Sequence, residues 1–268
     1  MQLPRSPGLA PHRYSESALL HRAGSAARWG SLGLWDGATD YAQACEALAR
    51  AVGQAAQIGT GDAVLSLACG VGDELELWLR AFADSAVIDI EIDPAQLRIA
   101  QQRAQASAGR ITVQAGSALE LGHLAIASID RVVCVDAAYH LSPRPQWAAA
   151  VRRVLRTGGR LAYTDLTLPH APGPMLQSAA SHCGVDAAEL RSPAATVQML
   201  QAAGYTDVQV QLLDDRVLGG FARFVWRQSR RLGRDAFRAG WRRPLATAVL
   251  IKACAAAGYA LFSAAAAA

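Results

Sequence analysis

Lysine is nearly missing from this chain: Lys252 is the only one in 268 residues, and arginine carries the rest of the basic charge. Basic and acidic residues number 26 and 22, a formal charge of +4. That mild excess predicts no nucleic-acid partner. No Asn/Asp-Pro-Pro-aromatic motif occurs and the basic residues form no aromatic-interleaved patch upstream of the sheet, which points the same way. Cysteine is sparse and scattered (Cys45, Cys69, Cys134, Cys183, Cys254), with no CxxC pair and no zinc spacing. This excludes a disulfide scaffold and a structural zinc site, and no metal is expected. Free buried thiols are the reading, with a reduced cytoplasmic location as the expectation. Residues 1–30 carry Arg5, Arg13, Arg22 and Arg28 without an apolar run, so no secretory leader is expected. One long apolar stretch, Leu245–Ala268, is rich in alanine and interrupted by Lys252 and Gly258, which argues against a membrane span.

What is present is core material. Hydrophobic residues make up 52% of the chain, enough for one large buried domain. The first 30 residues have no clear period and read as a loose tail. Ala44, Leu48, Ala51, Val52 and Ala55 lie at helical spacing within a predicted helix over 40–56. Short apolar runs then alternate with helical patterns. Predicted strands cover 63–67, 86–92, 111–114, 129–135 and 160–165, with predicted helices after Asp73, from Pro94 to about Ser107, and from Arg144 to Leu155. Thr157-Gly158-Gly159 is read as a turn. Strands separated by helices of this length pair in parallel through right-handed crossovers, which predicts a layered α/β fold. Beyond Asp165, prolines among short helical pieces mark 168–203 as a lid or insertion. A strand over 207–213, a broken helical stretch over 219–257 and a last strand from Gly258 bring the count to seven, all in one domain over 31–268.

The most informative local pattern is Gly70-Val71-Gly72, after a strand and before a helix. Glycines there let backbone approach a ligand, and the following helix presents unpaired N–H groups. Glu91 ends the next strand, where a carboxylate can accept both hydroxyls of a ribose. An adenosine-containing cofactor follows. The third glycine of a dinucleotide fingerprint is replaced by Leu75, and Asp73 and Glu74 would set negative charge beside a pyrophosphate. A phosphate-free cofactor with a sulfonium cation, S-adenosylmethionine, therefore fits better than NAD.

Several segments in succession resemble the class I S-adenosylmethionine-dependent methyltransferases. Val64-Leu-Ser-Leu-Ala-Cys-Gly-Val-Gly72 resembles their glycine-rich first motif, and Ile90-Glu91-Ile92-Asp93-Pro94 their acidic second-strand motif. Gly116-Ser117-Ala118 resembles the turn after strand three, Val135-Asp136-Ala137-Ala138-Tyr139-His140 the segment after strand four, and Val154–Leu161 the approach to strand five. Leu32-Gly33-Leu34-Trp35 is similar to an N-terminal segment of small-molecule O-methyltransferases. The likeness covers about Leu32 to Thr167. It departs at Ser66, where the family commonly has an acid, at Ala68, where it has glycine, and at Ser117, where it has aspartate.

The resemblance implies a Rossmann-like seven-stranded mixed sheet with the last strand antiparallel and helices on both faces. It implies cofactor contacts by Trp35, Ala68, Cys69, Gly70, Gly72, Glu91, Ile92, Ser117, Ala118 and, through its backbone, Asp136. His140 lies past strand four, at the sheet edge where ligands gather, and an ordinary imidazole pKa of about 6.5 suits a base. Asp165 is a second base candidate, and Tyr139 and His140 are candidate substrate contacts. The expected reaction moves a methyl group to an oxygen of a small secondary-metabolite-type acceptor. Methylation of nitrogen or carbon on a lipophilic, quinone-type acceptor and a non-catalytic cofactor-binding relative stay open as alternatives. Arg223, Arg227, Arg231, Arg234, Arg238 and Arg242 recur at helical spacing. That face is read as solvated rather than as a membrane-surface contact.

Overall fold

The computed structural model describes residues 17, 20–21, 27–82, 85–182, 184–232, 242–253 and 257–267. Most of the expected N-terminal tail, Cys183, Cys254, Arg234 and Arg238 lie outside them. The helix read from the first apolar stripe is α1 (Tyr41–Ala55), started by Asp40, whose side chain accepts from the Gln43 amide. Then follow β1 (Ala63–Leu67), α2 (Asp73–Ala81), β2 (Ala86–Glu91), α3 (Pro94–Ala104), β3 (Ile111–Ala115), β4 (Ile129–Cys134), α4 (Arg144–Val154) and β5 (Leu155–Thr167). The last third holds α5 (Pro174–His182), α6 (Pro193–Ala202), β6 (Tyr205–Leu212), α7 (Gly220–Leu232), α8 (Arg242–Ala253) and β7 (Gly258–Ala266).

The seven strands form one sheet in the order β3-β2-β1-β4-β5-β7-β6. β1 to β5 pair in parallel, and β7 runs antiparallel between β5 and β6. The expected seven-stranded mixed sheet with its last strand reversed is therefore present. Two apolar cores fill its faces. One gathers α1, Leu75, Trp78, Phe221, Phe224 and Tyr259; the other gathers Leu65, Leu67, Trp147, Tyr163 and Phe262. Burial on both faces is why Val64–Leu67 of β1 and Val132–Cys134 of β4 are continuously buried rather than alternating.

Three boundaries differ from expectation. The turn read at 157–159 lies within β5: Leu155 already pairs with Ile129, and Gly158, at φ +75°, takes up a register shift opposite β4 as a bulge. Within 168–203, α6 is a sheet-covering helix rather than a lid, with Leu200 buried in the core and Tyr205 following directly in β6. Likewise α7 turns Phe221, Phe224 and Val225 inward, so this part of 219–257 is core. Its arginines face out: Arg223 pairs with Asp215 at 2.7 Å, and Arg227 lies over the Phe224 ring at 5.7 Å. The C-terminal apolar run ends in β7. No helix among the described residues is long and apolar enough to cross a membrane.

Candidate active site

Parallel strands β1, β2, β4 and β5 end on one edge of the sheet, and the residues singled out by sequence gather there. β1 leaves the sheet through Ala68, at φ +63°, and Gly70, at φ +62°. A left-handed alanine costs about 1 kcal/mol relative to glycine, so Ala68 holds a conformation that glycine would hold more cheaply. At Gly70 a side chain would meet Gln96 Oε1 at 2.9 Å, so the bare backbone keeps this turn open. Gly72 then starts α2.

Glu91 ends β2 beneath this turn. Its Oε2 accepts from the Gly70 amide at 2.9 Å and its Oε1 from the Asp93 amide at 2.7 Å. Burial pushes its carboxyl up to about 7, while the two amides hold it down. Ile92 beside it is 46% exposed, a bare apolar surface next to a hydroxyl-accepting carboxylate. Across the edge, Ala118 is buried and the Ser117 hydroxyl accepts from the Leu119 amide at 3.2 Å. A turn of open backbone, a braced carboxylate and an apolar ledge fit a nucleoside without phosphates.

Asp136 follows β4 at φ +52° and is a buried hub. Its carboxylate accepts from the Leu32 amide at 2.5 Å and the Tyr259 hydroxyl at 2.6 Å, and the Tyr139 hydroxyl also faces it. Burial raises it to about 6 against the pull of these donors. The expectation that Asp136 serves through its backbone changes accordingly, since its amide donates to Thr164 Oγ1 at 2.7 Å. Leu32 thus straps the N-terminal segment to this edge, and the Arg28 amide adds a second tie to Asp73 Oδ2 at 2.9 Å.

His140 sits in the short turn Ala138–His140, its ring 4.5 Å from that of Tyr139. Its Nδ1 lies 2.9 Å from the Gly184 carbonyl, contributed by the segment after α5. His170 in the same insertion is exposed.

Three of the residues singled out by sequence have their side chains engaged within the fold. Asp165, read as a second base, has both oxygens 2.5 Å from Arg144 Nη2, and both residues are buried. An acceptor already occupied by a guanidinium is a brace for the edge, not a poised base. Trp35, read as a cofactor contact, stacks on Phe224 at 4.6 Å and donates its indole N–H to the Leu32 carbonyl. Cys69 likewise turns its thiol toward Asp89 below the turn.

Sequence reading missed four participants. Asp89 had a visible signal, an acid inside the apolar run Val87–Ile90. Tyr259, Thr164 and Arg144 carried none, because nothing local says that their strands and helix reach this edge.

The Arg144–Asp165 pair yields a stability prediction. Burial raises the folded Asp165 carboxyl to about 6, so it binds its proton more tightly when folded than unfolded. The stability it contributes is therefore present at low pH and lost as pH rises through about 6. Arg144→Ala removes the cation and should cost about 3–5 kcal/mol near pH 8, where an uncompensated charge is buried, and clearly less near pH 5. Urea denaturation at the two pH values checks this; an equal loss at both would mean the pair contributes packing alone.

An open glycine turn after β1, an acid closing β2 and a histidine after β4 define a nucleoside-cofactor enzyme site on an α/β sheet. Residues 64–159 match the family model described as a methyltransferase domain. The chain is 30% identical over 210 residues to the erythromycin 3''-O-methyltransferase of Saccharopolyspora erythraea, covering 74% of this chain and 68% of that protein. The chain belongs to the class I S-adenosylmethionine-dependent methyltransferases, and it is an enzyme of that class. The fold is shared with the cyclase SpnF, at a TM-score of 0.71 and 20% identity, over 88% of this chain and 87% of that one. It is shared too with Haemonchus contortus phosphoethanolamine N-methyltransferase 2 in complex with S-adenosyl-L-methionine, at 0.68 and 16%, over 82% of this chain and 52% of that one. At such identities these two likenesses concern the fold alone.

Proposed function

We propose that the protein transfers a methyl group from S-adenosylmethionine to a hydroxyl oxygen of a small secondary-metabolite-type molecule, with His140 as general base. The observation that carries this reading is the contact of His140 Nδ1 with the Gly184 carbonyl. A carbonyl only accepts, so Nδ1 holds the ring proton and the lone pair of the neutral imidazole is on Nε2. A base of that tautomer suits an acceptor whose hydroxyl must lose its proton. The oxygen acceptor is supported by the similarity to the erythromycin 3''-O-methyltransferase.

When bound, the cofactor supplies a methyl group already activated on a sulfonium, so alignment accounts for much of the acceleration. Gly70 and Gly72 line its approach with backbone, Glu91 accepts from the ribose hydroxyls, and Ile92, Ser117 and Ala118 border the adenine. Asp136, through Leu32 and Tyr139, holds the N-terminal strap and the aromatic ring beside His140, which excludes water from the acceptor's oxygen. Asp165 and Arg144 brace the edge between β5 and α4.

Calorimetric titration with S-adenosylhomocysteine, with NAD as control, tests the cofactor half. Micromolar binding of the first and none of the second is expected. Transfer of labelled methyl from S-adenosylmethionine to hydroxylated polyketide and macrolide acceptors tests the other half. Binding without transfer to any hydroxyl, but with transfer to an amine or carbon centre, would overturn the oxygen assignment.

A further inference from the structure

Beneath the glycine turn lie two carboxylates that the proposed reaction does not use. Asp89 stands in the middle of β2, paired in register with Ser66 of β1, and is fully buried. Glu74, in the first turn of α2, is buried too and lies 3.3 Å from the same Ser66 hydroxyl. Neither oxygen of Asp89 meets a donor at full hydrogen-bond geometry, although the Ser66 hydroxyl, the Cys69 thiol and the Cys69 and Ile90 amides face it. Among the described residues neither carboxylate has a cationic partner: Arg103 on α3 is paired with Asp73 at 2.8 Å, and Arg144 with Asp165. Two buried acids beside one hydroxyl, beneath the turn proposed to cradle a cationic cofactor, are an unbalanced concentration of negative charge.

We propose that the Glu74–Asp89 pair, packed around Ser66 beneath the glycine turn, discriminates between the cationic methyl donor and its thioether product. The inference rests on the cofactor reading above. Donor and product share adenine, ribose and the amino-acid tail; they differ in the methyl group and in the sulfonium charge that leaves with it. The pair's response to that charge is one electrostatic difference between them. In the dry site two like charges at short range are costly, so the pair holds a proton when no cation is near. Burial raises both carboxyls, Asp89 to about 6, and the charge of Asp89 adds to the rise at Glu74. The ionised pair would be favoured by a bound sulfonium, its proton passing to solvent, so donor affinity would rise with pH. The pair would hold the neutral thioether product less well, which would help release.

Other groups titrate nearby. Glu91 from β2, Asp73 from α2, Cys69 from the turn and Cys134 from β4 all couple to the pair. Glu91 acts first on the ribose common to both ligands, so most of its contribution cancels when the two affinities are taken as a ratio. Asp89→Asn and Glu74→Gln isolate the pair from the rest.

The experiment is calorimetric titration of the full chain with S-adenosylmethionine and with S-adenosylhomocysteine, near pH 6 and near pH 8, in two buffers of different ionisation enthalpy. In the native protein the preference for the donor should grow about threefold or more with pH, within the limit of about tenfold per unit set by one proton. Donor binding should release more protons than product binding. In Asp89→Asn the preference should be flat with pH, and Glu74→Gln should shift it in the same direction, which keeps the test alive if the first variant does not fold. A preference that is flat in the native protein, or that changes equally in native and both variants, overturns the proposal and leaves the cofactor reading intact. Failure of either ligand to bind the native protein overturns both.

Discussion

His140→Ala should lower turnover about 100- to 10,000-fold while leaving S-adenosylhomocysteine affinity within about twofold. The size is that of a general base removed from a reaction whose other requirement, alignment, is kept. The separation of effects follows from position. His140 hangs from the turn after β4 and meets the Gly184 carbonyl, whereas the proposed cofactor contacts come from β1, β2 and the turn after β3. A purely packing role would also lower activity, so the pH profile is the deciding readout. The native rate should fall on the acid side as the imidazole is protonated. In His140→Ala that limb should vanish, and added imidazole should restore part of the rate. An alanine variant that keeps the native rate and acid limb with a confirmed acceptor would place the base elsewhere.

Glu91→Ala should weaken S-adenosylmethionine and S-adenosylhomocysteine equally, by at least tenfold. Two charge-assisted hydrogen bonds to a ribose exceed the roughly 1.4 kcal/mol that one decade requires. The side chain also accepts from the Gly70 and Asp93 amides, so its loss frees the glycine turn that it braces. Because burial lifts the folded carboxyl to about 7, and the ionised form is the better acceptor, native affinity for both ligands should improve as pH rises toward 7 and level off above it. That dependence should be absent in Glu91→Ala. Titration calorimetry reads both effects, and unchanged binding would remove Glu91 from the site. The equal response of donor and product separates Glu91 from the Glu74–Asp89 pair, whose effect falls on their ratio.

Much of this site was legible locally. The strand–glycine turn–helix–strand–acid succession from Val64 to Glu91 encodes both its elements and its ligand chemistry. A short apolar run, a tight turn and a carboxylate at a strand end are properties of adjacent residues. His140 was legible for the same reason, as a histidine at the end of a buried strand. The partners of Trp35 and Asp165 were not legible because sequence gives distance from neighbouring elements along the chain, not across the sheet. The partner that occupies Trp35 is Phe224 on α7, and the one that occupies Asp165 is Arg144 on α4. Similarly, the arginines of α7 were visible as a periodic face, but only packing decided that the aromatics between them point into the core.

The sequence by itself determined the order and type of the elements, the open turn at Gly70 and the acid at Glu91, since each depends on conformational preferences and periods within a few residues. Tertiary structure alone decided which buried charges meet. Leu32 reaches Asp136 from 104 positions away and Tyr259 from 123, and Ser66 brings Glu74 and Asp89 together across two elements. Those contacts follow from a strand order that no local segment encodes, because insertion of β7 between β5 and β6 is set by how the whole sheet buries its two faces.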